Sequence, residues 1–264
     1  MNDLTITLIQ TNLFWEESAR NLKHFDHLIN GIKGSTDLIL LPEMFNTGFS
    51  INPQKCAEEI NGASIAFLKN KSLEKKAVIM ATLLIGEADS FYNRLVTVYP
   101  DGRVFHYDKR HLFRLSEEYK IIKGGKESLI VEVNGWKIRP LTCYDLRFPV
   151  WSKNLYENGS YAYDLLVYLA NWPSIRSNVW KTLLTARAME NQSYVAGVNR
   201  VGDDGFGTFH SGDSIVIDAK GHPLAAATES KEEVLTVTLS GSDLALFRES
   251  FTLGLDWDKF TIHS

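Results

Sequence analysis

Short apolar runs alternate with amphipathic stretches along this chain, and turn residues separate them. Residues 4–9 alternate apolar and polar positions, the period of a half-buried strand. Over residues 16–33 the apolar side chains fall at Leu22, Phe25, Leu28, Ile29 and Ile32, a stripe along one side of a helix. Residues 37–41 (DLILL) form a short, wholly apolar run, the pattern of a strand buried on both faces, ending at Pro42-Glu43. Residues 63–76 read as helix and 77–85 as another strand.

Two hairpins follow. One turns at Pro100-Asp101-Gly102 between strands at 95–99 and 104–107; the other turns at Asn134-Gly135 between 128–133 and 136–142. Between them, residues 109–127 are polar and aperiodic. Loops this long inside compact domains usually carry function. Beyond Cys143, residues 149–158 read as helix with proline in the first turn, 164–170 as strand and 179–192 as helix. Strands at 194–199, 211–218, 222–227 and 234–239 complete the pattern. Strand–helix–strand units mixed with hairpins predict a layered α/β fold with mixed sheets under helices. No linker, repeat or low-complexity segment divides the chain, so one domain over residues 1–264 is expected.

Composition narrows the function classes. A net charge of −4 gives no basic field for nucleic acid or an anionic membrane. No apolar run reaches membrane-spanning length. The opening MNDLTITLIQTN carries an early acid and no basic segment, so it reads as a first strand and not as a signal peptide. With two cysteines only, Cys56 and Cys143, a reducing, cytoplasmic setting with free thiols is expected.

Three residues with reactive chemistry stand at the ends of apolar strands: Glu43 after DLILLP, Lys109 after His106-Tyr107-Asp108, and Cys143 at the end of residues 138–143. Strand ends in α/β folds hold side chains rigidly while letting them leave the core. Taken singly, each has an ordinary alternative: a surface acid, a solvated loop lysine, a small buried hydrophobe. Asp145 and Arg147 read as shaping the turn after Cys143, with an ion pair between them as one option. Arg187 and Glu190 are spaced for a pair within their helix and read as scaffold. His24 and His27 share a helix face but lack further ligands for zinc, and Gly202-Asp-Asp-Gly-Phe-Gly207 reads as a turn.

LLPEMFNTGF around Glu43, DKRHLFR around Lys109 and LTCYDLRFP around Cys143 resemble the three signature segments of the nitrilase (carbon–nitrogen hydrolase) superfamily, in the same order. ANWP at 170–173 and LLTARAMENQSYVAGVNRVG at 183–202 are similar to its later segments. Within the superfamily the chain is most similar to the bacterial omega-amidases, which hydrolyse the terminal amide of 2-oxoglutaramate and 2-oxosuccinamate. The resemblance implies a four-layer α-β-β-α sandwich, a homodimer paired through helices, and a mechanism needing no metal or cofactor. It makes Cys143 the nucleophile, Glu43 the general base and Lys109 the cation at the reacting centre. Another carbon–nitrogen hydrolase, acting on N-carbamoyl amines or nitriles, and a silent binding protein on the same scaffold are the alternatives.

The family's second glutamate has two candidates, Glu117 and Glu118; placing its glycine on Gly125 selects Glu118. Lys109 is expected to favour the thiolate of Cys143, since a nearby ammonium stabilises that anion. A 2-oxo acid amide carries a carboxylate, for which a bidentate arginine is the preferred partner. Arg114 and Arg176 are the candidates, with Phe45, Tyr144 and Trp172 as aromatic walls. The segment 241–264, with Phe251, Leu253, Leu255, Trp257 and Phe260, is too apolar to hang free and is expected to pack on the body or on a partner subunit.

Overall fold

The computed structural model describes residues 1–262. In chain order its first half comprises β1 (Leu4–Gln10), α1 (Ser18–Asn30), β2 (Leu38–Leu40), α2 (Pro53–Cys56), α3 (Ala63–Lys75), β3 (Val78–Glu87), β4 (Ser90–Val98) and β5 (Val104–Asp108). The second half comprises α4 (Glu118–Ile121), β6 (Val131–Val133), β7 (Trp136–Thr142), α5 (Pro149–Ser152), β8 (Tyr156–Glu157), β9 (Ser160–Tyr161), β10 (Leu165–Ala170), α6 (Ser177–Asn191) and β11 (Tyr194–Asn199). It closes with β12 (Val201–Asp203), β13 (Phe209–Ser211), β14 (Ile215–Ile217), β15 (Pro223–Ala226), β16 (Glu233–Leu239) and α7 (Gly241–Ser250).

The larger strands form two six-stranded mixed sheets, ordered β16-β1-β2-β3-β4-β5 and β15-β14-β11-β10-β7-β6. Alternation along each strand sorts its side chains between layers. In β2, Leu38 and Leu40 point into the core shared by both sheets, whereas Ile39 meets Phe25 and Ile29 of α1 and Ile65 and Leu68 of α3. On the far side, Trp180, Leu184 and Ala188 of α6 cover the second sheet. Gly197 of β11 leaves room for Trp180 and Leu184, because a Cβ there would lie only 2.6 Å from Leu184. The result is a four-layer α-β-β-α sandwich.

The topology puts the chemistry on one edge. β1, β2 and β3 are parallel, and β5 returns to their direction through two antiparallel steps. β7, β10 and β11 are parallel in the other sheet. Chain segments leaving β2, β5, β7 and β10 therefore emerge where the sheets abut, and the Glu43 N–H donates to the Ala170 carbonyl across that seam at 3.3 Å.

Three elements depart from the expected pattern. Residues 149–158 do not form one helix: α5 stops at Ser152, and Asn158-Gly159 turns the β8–β9 hairpin with both residues at positive φ. Asn-Gly is a hairpin signal that the proline-led reading overrode. β4 begins five residues before the predicted strand and pairs with β3 through Ser90↔Glu87. α7 was absent from the expectation; the Ser240 side chain caps it by accepting the Asp243 N–H. Beyond α7, the Trp257 ring meets Tyr161 edge-on at 5.7 Å and lies 3.7 Å from Lys153 Nζ, while Phe251 and Leu255 stay exposed.

Candidate active site

Glu43 is carried out of β2 by Pro42 and is completely buried. Its Oε1 accepts from Lys109 Nζ at 2.9 Å and from Asn93 Nδ2 at 2.8 Å; its Oε2 accepts the Asn171 N–H at 2.9 Å. The Asn171 amide also donates to the Glu43 carbonyl. Lys109, directly after β5 and equally buried, donates to both oxygens of Glu118, at 3.0 and 3.1 Å. The ammonium thus sits between two carboxylates, whose charges hold its proton far above the ordinary lysine range despite complete burial.

The choice between the two acids of the long loop is decided by α4. Glu118, at its start, turns inward, where its Oε2 also accepts the Phe113 N–H at 2.6 Å. Glu117 turns outward to Lys120 at 2.7 Å. Burial pushes the Glu118 carboxyl upward, with Lys109 opposing and the Glu43 charge adding to the rise.

Cys143 begins a 3-10 turn over Cys143–Arg147 and has φ of +43°. That left-handed backbone costs a non-glycine residue on the order of 1 kcal/mol and persists only where its surroundings impose it. Asp145 supplies much of the constraint. Its buried carboxylate accepts from the Thr142 N–H (3.1 Å), Tyr107 Oη (2.7 Å), the His111 N–H (3.0 Å) and the His111 ring (2.8 Å). One carboxylate therefore ties the nucleophile turn to the segment around Lys109. Arg187 adds a strap, donating to the Leu146 carbonyl at 2.6 Å while pairing with Glu190 at 2.9 Å.

Two expectations about this turn are corrected. Asp145 pairs with His111 and not with Arg147, which is exposed and lies over the Trp172 ring at 5.2 Å. Lys109 does not hold Cys143 as a thiolate. Burial pushes the thiol well above its usual range, the Glu43 charge pushes the same way, and Lys109 opposes without prevailing. Two carboxylates around one ammonium leave a net negative site, so the resting group is a thiol, 3.7 Å from the Asn171 carbonyl.

The cluster floors a cavity of about 480 Å³. Tyr144, Trp172 and Arg176 line it as expected; Arg176 stacks over Phe113 at 5.5 Å. Phe45 does not. It is completely buried between Phe25 and Phe67 in the layer between α1, α3 and the first sheet, because its backbone turns it away from the edge that Glu43 faces. Arg114 is also outside the lining; it leans over Tyr119 at 5.3 Å.

The structure adds lining that sequence reading missed. Arg147 is one part. The β12–β13 hairpin is another: it is the turn expected at 202–207, yet it also brings Phe206 and His210 to the cavity. Asp204 stiffens it by accepting the Phe206 and Thr208 N–H groups at 2.8 Å each, and Phe206 packs edge-on against Trp15. Burial, aided by the Arg200 charge, lowers His210 to about 4, so it is neutral at working pH. Asn93 and Asn171 were legible only as letters next to strand patterns.

A four-layer sandwich with a thiol, two carboxylates and an ammonium at the sheet seam defines a hydrolase acting on carbon–nitrogen bonds, and comparison with known proteins agrees. The Carbon-nitrogen hydrolase family model matches residues 5–249, and the chain belongs to that family. It is 44% identical over 262 residues to the omega-amidase YafV of Yersinia enterocolitica, covering 99% of this chain and 100% of that one. It is 30% identical over 250 residues to the 2-oxoglutaramate amidase of Bacillus subtilis, covering 93% and 94% of the two chains. A CN-hydrolase superfamily protein of Xanthomonas campestris, solved with an arsenic adduct in its active site, superposes with a TM-score of 0.97 at 41% identity over 100% of both chains. Among the described residues no helix is long and apolar enough to cross a membrane.

Proposed function

We infer that this hydrolase is an omega-amidase, releasing ammonia from the terminal amide of 2-oxo dicarboxylic acid monoamides such as 2-oxoglutaramate. The observation that carries the reading is one cavity holding the Cys143–Glu43–Lys109–Glu118 cluster together with Arg147 and Arg176. Neither arginine has a carboxylate partner among the described residues, so both guanidiniums are available to a substrate carboxylate. Identity to relatives named omega-amidase, along almost the whole chain, supports the same substrate class.

In this reading Glu43 takes the Cys143 proton as sulfur attacks the amide carbon, so the thiolate forms only as it is consumed. The developing oxyanion accepts from Lys109 and from the Tyr144 N–H, one of the first amides of the turn and therefore without a partner in the preceding turn. Two of the three Lys109 N–H directions are engaged by the carboxylates, leaving one for the oxyanion. Protonated Glu43 gives its proton to the nitrogen, the C–N bond breaks and ammonia leaves. Water, deprotonated by Glu43, then cleaves the Cys143 thioester and frees the 2-oxo acid. Glu118 orients Lys109 throughout.

The test is ammonia release from 2-oxoglutaramate beside glutamine, an N-carbamoyl amine and a simple nitrile. Preference for the oxo-amide supports the reading; turnover of another substrate alone moves the enzyme elsewhere in its family; no turnover of any favours a silent binding protein. Arg147→Ala and Arg176→Ala are each expected to raise KM about ten- to a hundredfold, the loss of one charged hydrogen bond, with kcat changed far less. Unchanged KM in both variants would remove the arginines from the substrate site. The exposed Phe251 and Leu255 beside the docked Trp257 support a homodimer that covers them. Sedimentation at micromolar concentration should give twice the chain mass of 29.9 kDa, and a monomer would refute the pairing.

A further inference from the structure

Asn93 lies on β4, a strand that brings no reacting group to the site, and its side chain is completely buried. Its NH2 group donates to Oε1 of Glu43 at 2.8 Å and to Oε1 of Glu118 at 3.2 Å. Its side-chain oxygen has no hydrogen-bond partner. An amide oxygen left unpaired in a core costs stability, so some other interaction holds the group in this orientation. The flipped amide would aim its oxygen at two carboxylates that only accept, and the two glutamates therefore dictate the orientation. The Asn93 backbone carbonyl meanwhile accepts the Lys109 N–H at 2.9 Å, so one residue touches three members of the cluster.

We propose that Asn93 is a positioning residue that keeps the Glu43–Glu118 carboxylate pair together and ionised around Lys109, with Glu43 ready to receive the thiol proton. The proposal rests on Glu43 acting as the base. Two buried carboxylates share a single ammonium, and each neutral N–H that donates to both favours the charged form of the pair. The other groups facing the pair are Lys109 at the end of β5, Cys143 after β7 and the uncharged Asn171 after β10. No second cation is available to take over from Asn93 if its amide is lost.

Asn93→Leu keeps nearly the same volume and removes the donor. Its kcat/KM for 2-oxoglutaramate, measured across the acid and neutral range, should show the acid limb moved up by about one pH unit, a tenfold loss below the limb. KM should change less than kcat, and the melting temperature should stay near that of wild type. A folded variant whose acid limb does not move, or whose loss is uniform with pH, overturns the proposal. If Asn93→Leu does not fold, Asn93→Ala is measured in the same way and decides by the same outcomes. Glu43→Gln separates the two levels. If that variant keeps its rate, the base assignment fails and takes this proposal with it. If it is inactive while the Asn93 variants leave the acid limb in place, only the role of Asn93 fails.

Discussion

Cys143→Ala should lose ammonia release by at least about ten-thousandfold, the scale seen when a covalent nucleophile is removed from a machinery that works as a unit. The remaining residues can still bind and polarise an amide, but no other thiol is within reach, since Cys56 lies in a separate buried cluster with Met44 and Leu84. Stability should change little: alanine fills most of the space of the thiol and meets the same positive φ. The check is turnover with single-turnover mass analysis. Wild type should accumulate an acyl adduct on Cys143, and the variant none. Residual turnover within about a hundredfold of wild type would mean that Glu43 activates water directly and that the thioester is not on the pathway.

Lys109→Met should damage both folding and chemistry. Removing the ammonium leaves the buried Glu43 and Glu118 carboxylates facing each other without a cation, and breaking such a buried pair typically costs about 3–5 kcal/mol. The same change deletes an oxyanion donor, for a further loss of roughly a hundred- to a thousandfold in kcat. Adding Glu118→Gln to Lys109→Met should restore part of the stability, because one of the stranded charges is gone, but none of the rate. Denaturant unfolding and steady-state kinetics on the three variants separate the two effects. A Lys109→Met protein as stable as wild type would show that the carboxylates protonate at little cost and that the lysine is not needed to house them.

Much of this architecture was legible in the chain. Alternation at residues 4–9, the apolar run 37–41, the helical stripe ending at Ile32 and the turn at Asn134-Gly135 report burial along one element, and burial is what sequence periodicity encodes. Glu43, Lys109 and Cys143 stood out because each breaks from an apolar strand, and the structure brings all three to one seam. Glu118 was found by aligning a glycine. That glycine is physically demanding: a Cβ at Gly125 would come within 2.1 Å of the Asp108 carbonyl oxygen, so only glycine lets the long loop return against β5.

Direction, by contrast, belonged to the tertiary structure. Phe45 and Glu43 are two residues apart, yet one fills a core layer and the other faces the site, because the irregular turn after β2 breaks the strand period. Arg114 and Arg147 could not be ranked from their letters; a one-turn helix sends the first over Tyr119, and a 3-10 turn leaves the second on Trp172. The protonation of Cys143 depends on how many charges surround it in a buried space, a count that only the meeting of two sheets supplies. The sequence by itself determined the elements, the layering and the identity of the reacting groups, since these follow from local periodicity and from residue chemistry. Which oxygen meets which nitrogen, and so whether the thiol rests protonated and which arginines line the cavity, was decided only when segments as far apart as Glu43 and Asn171 were packed against each other.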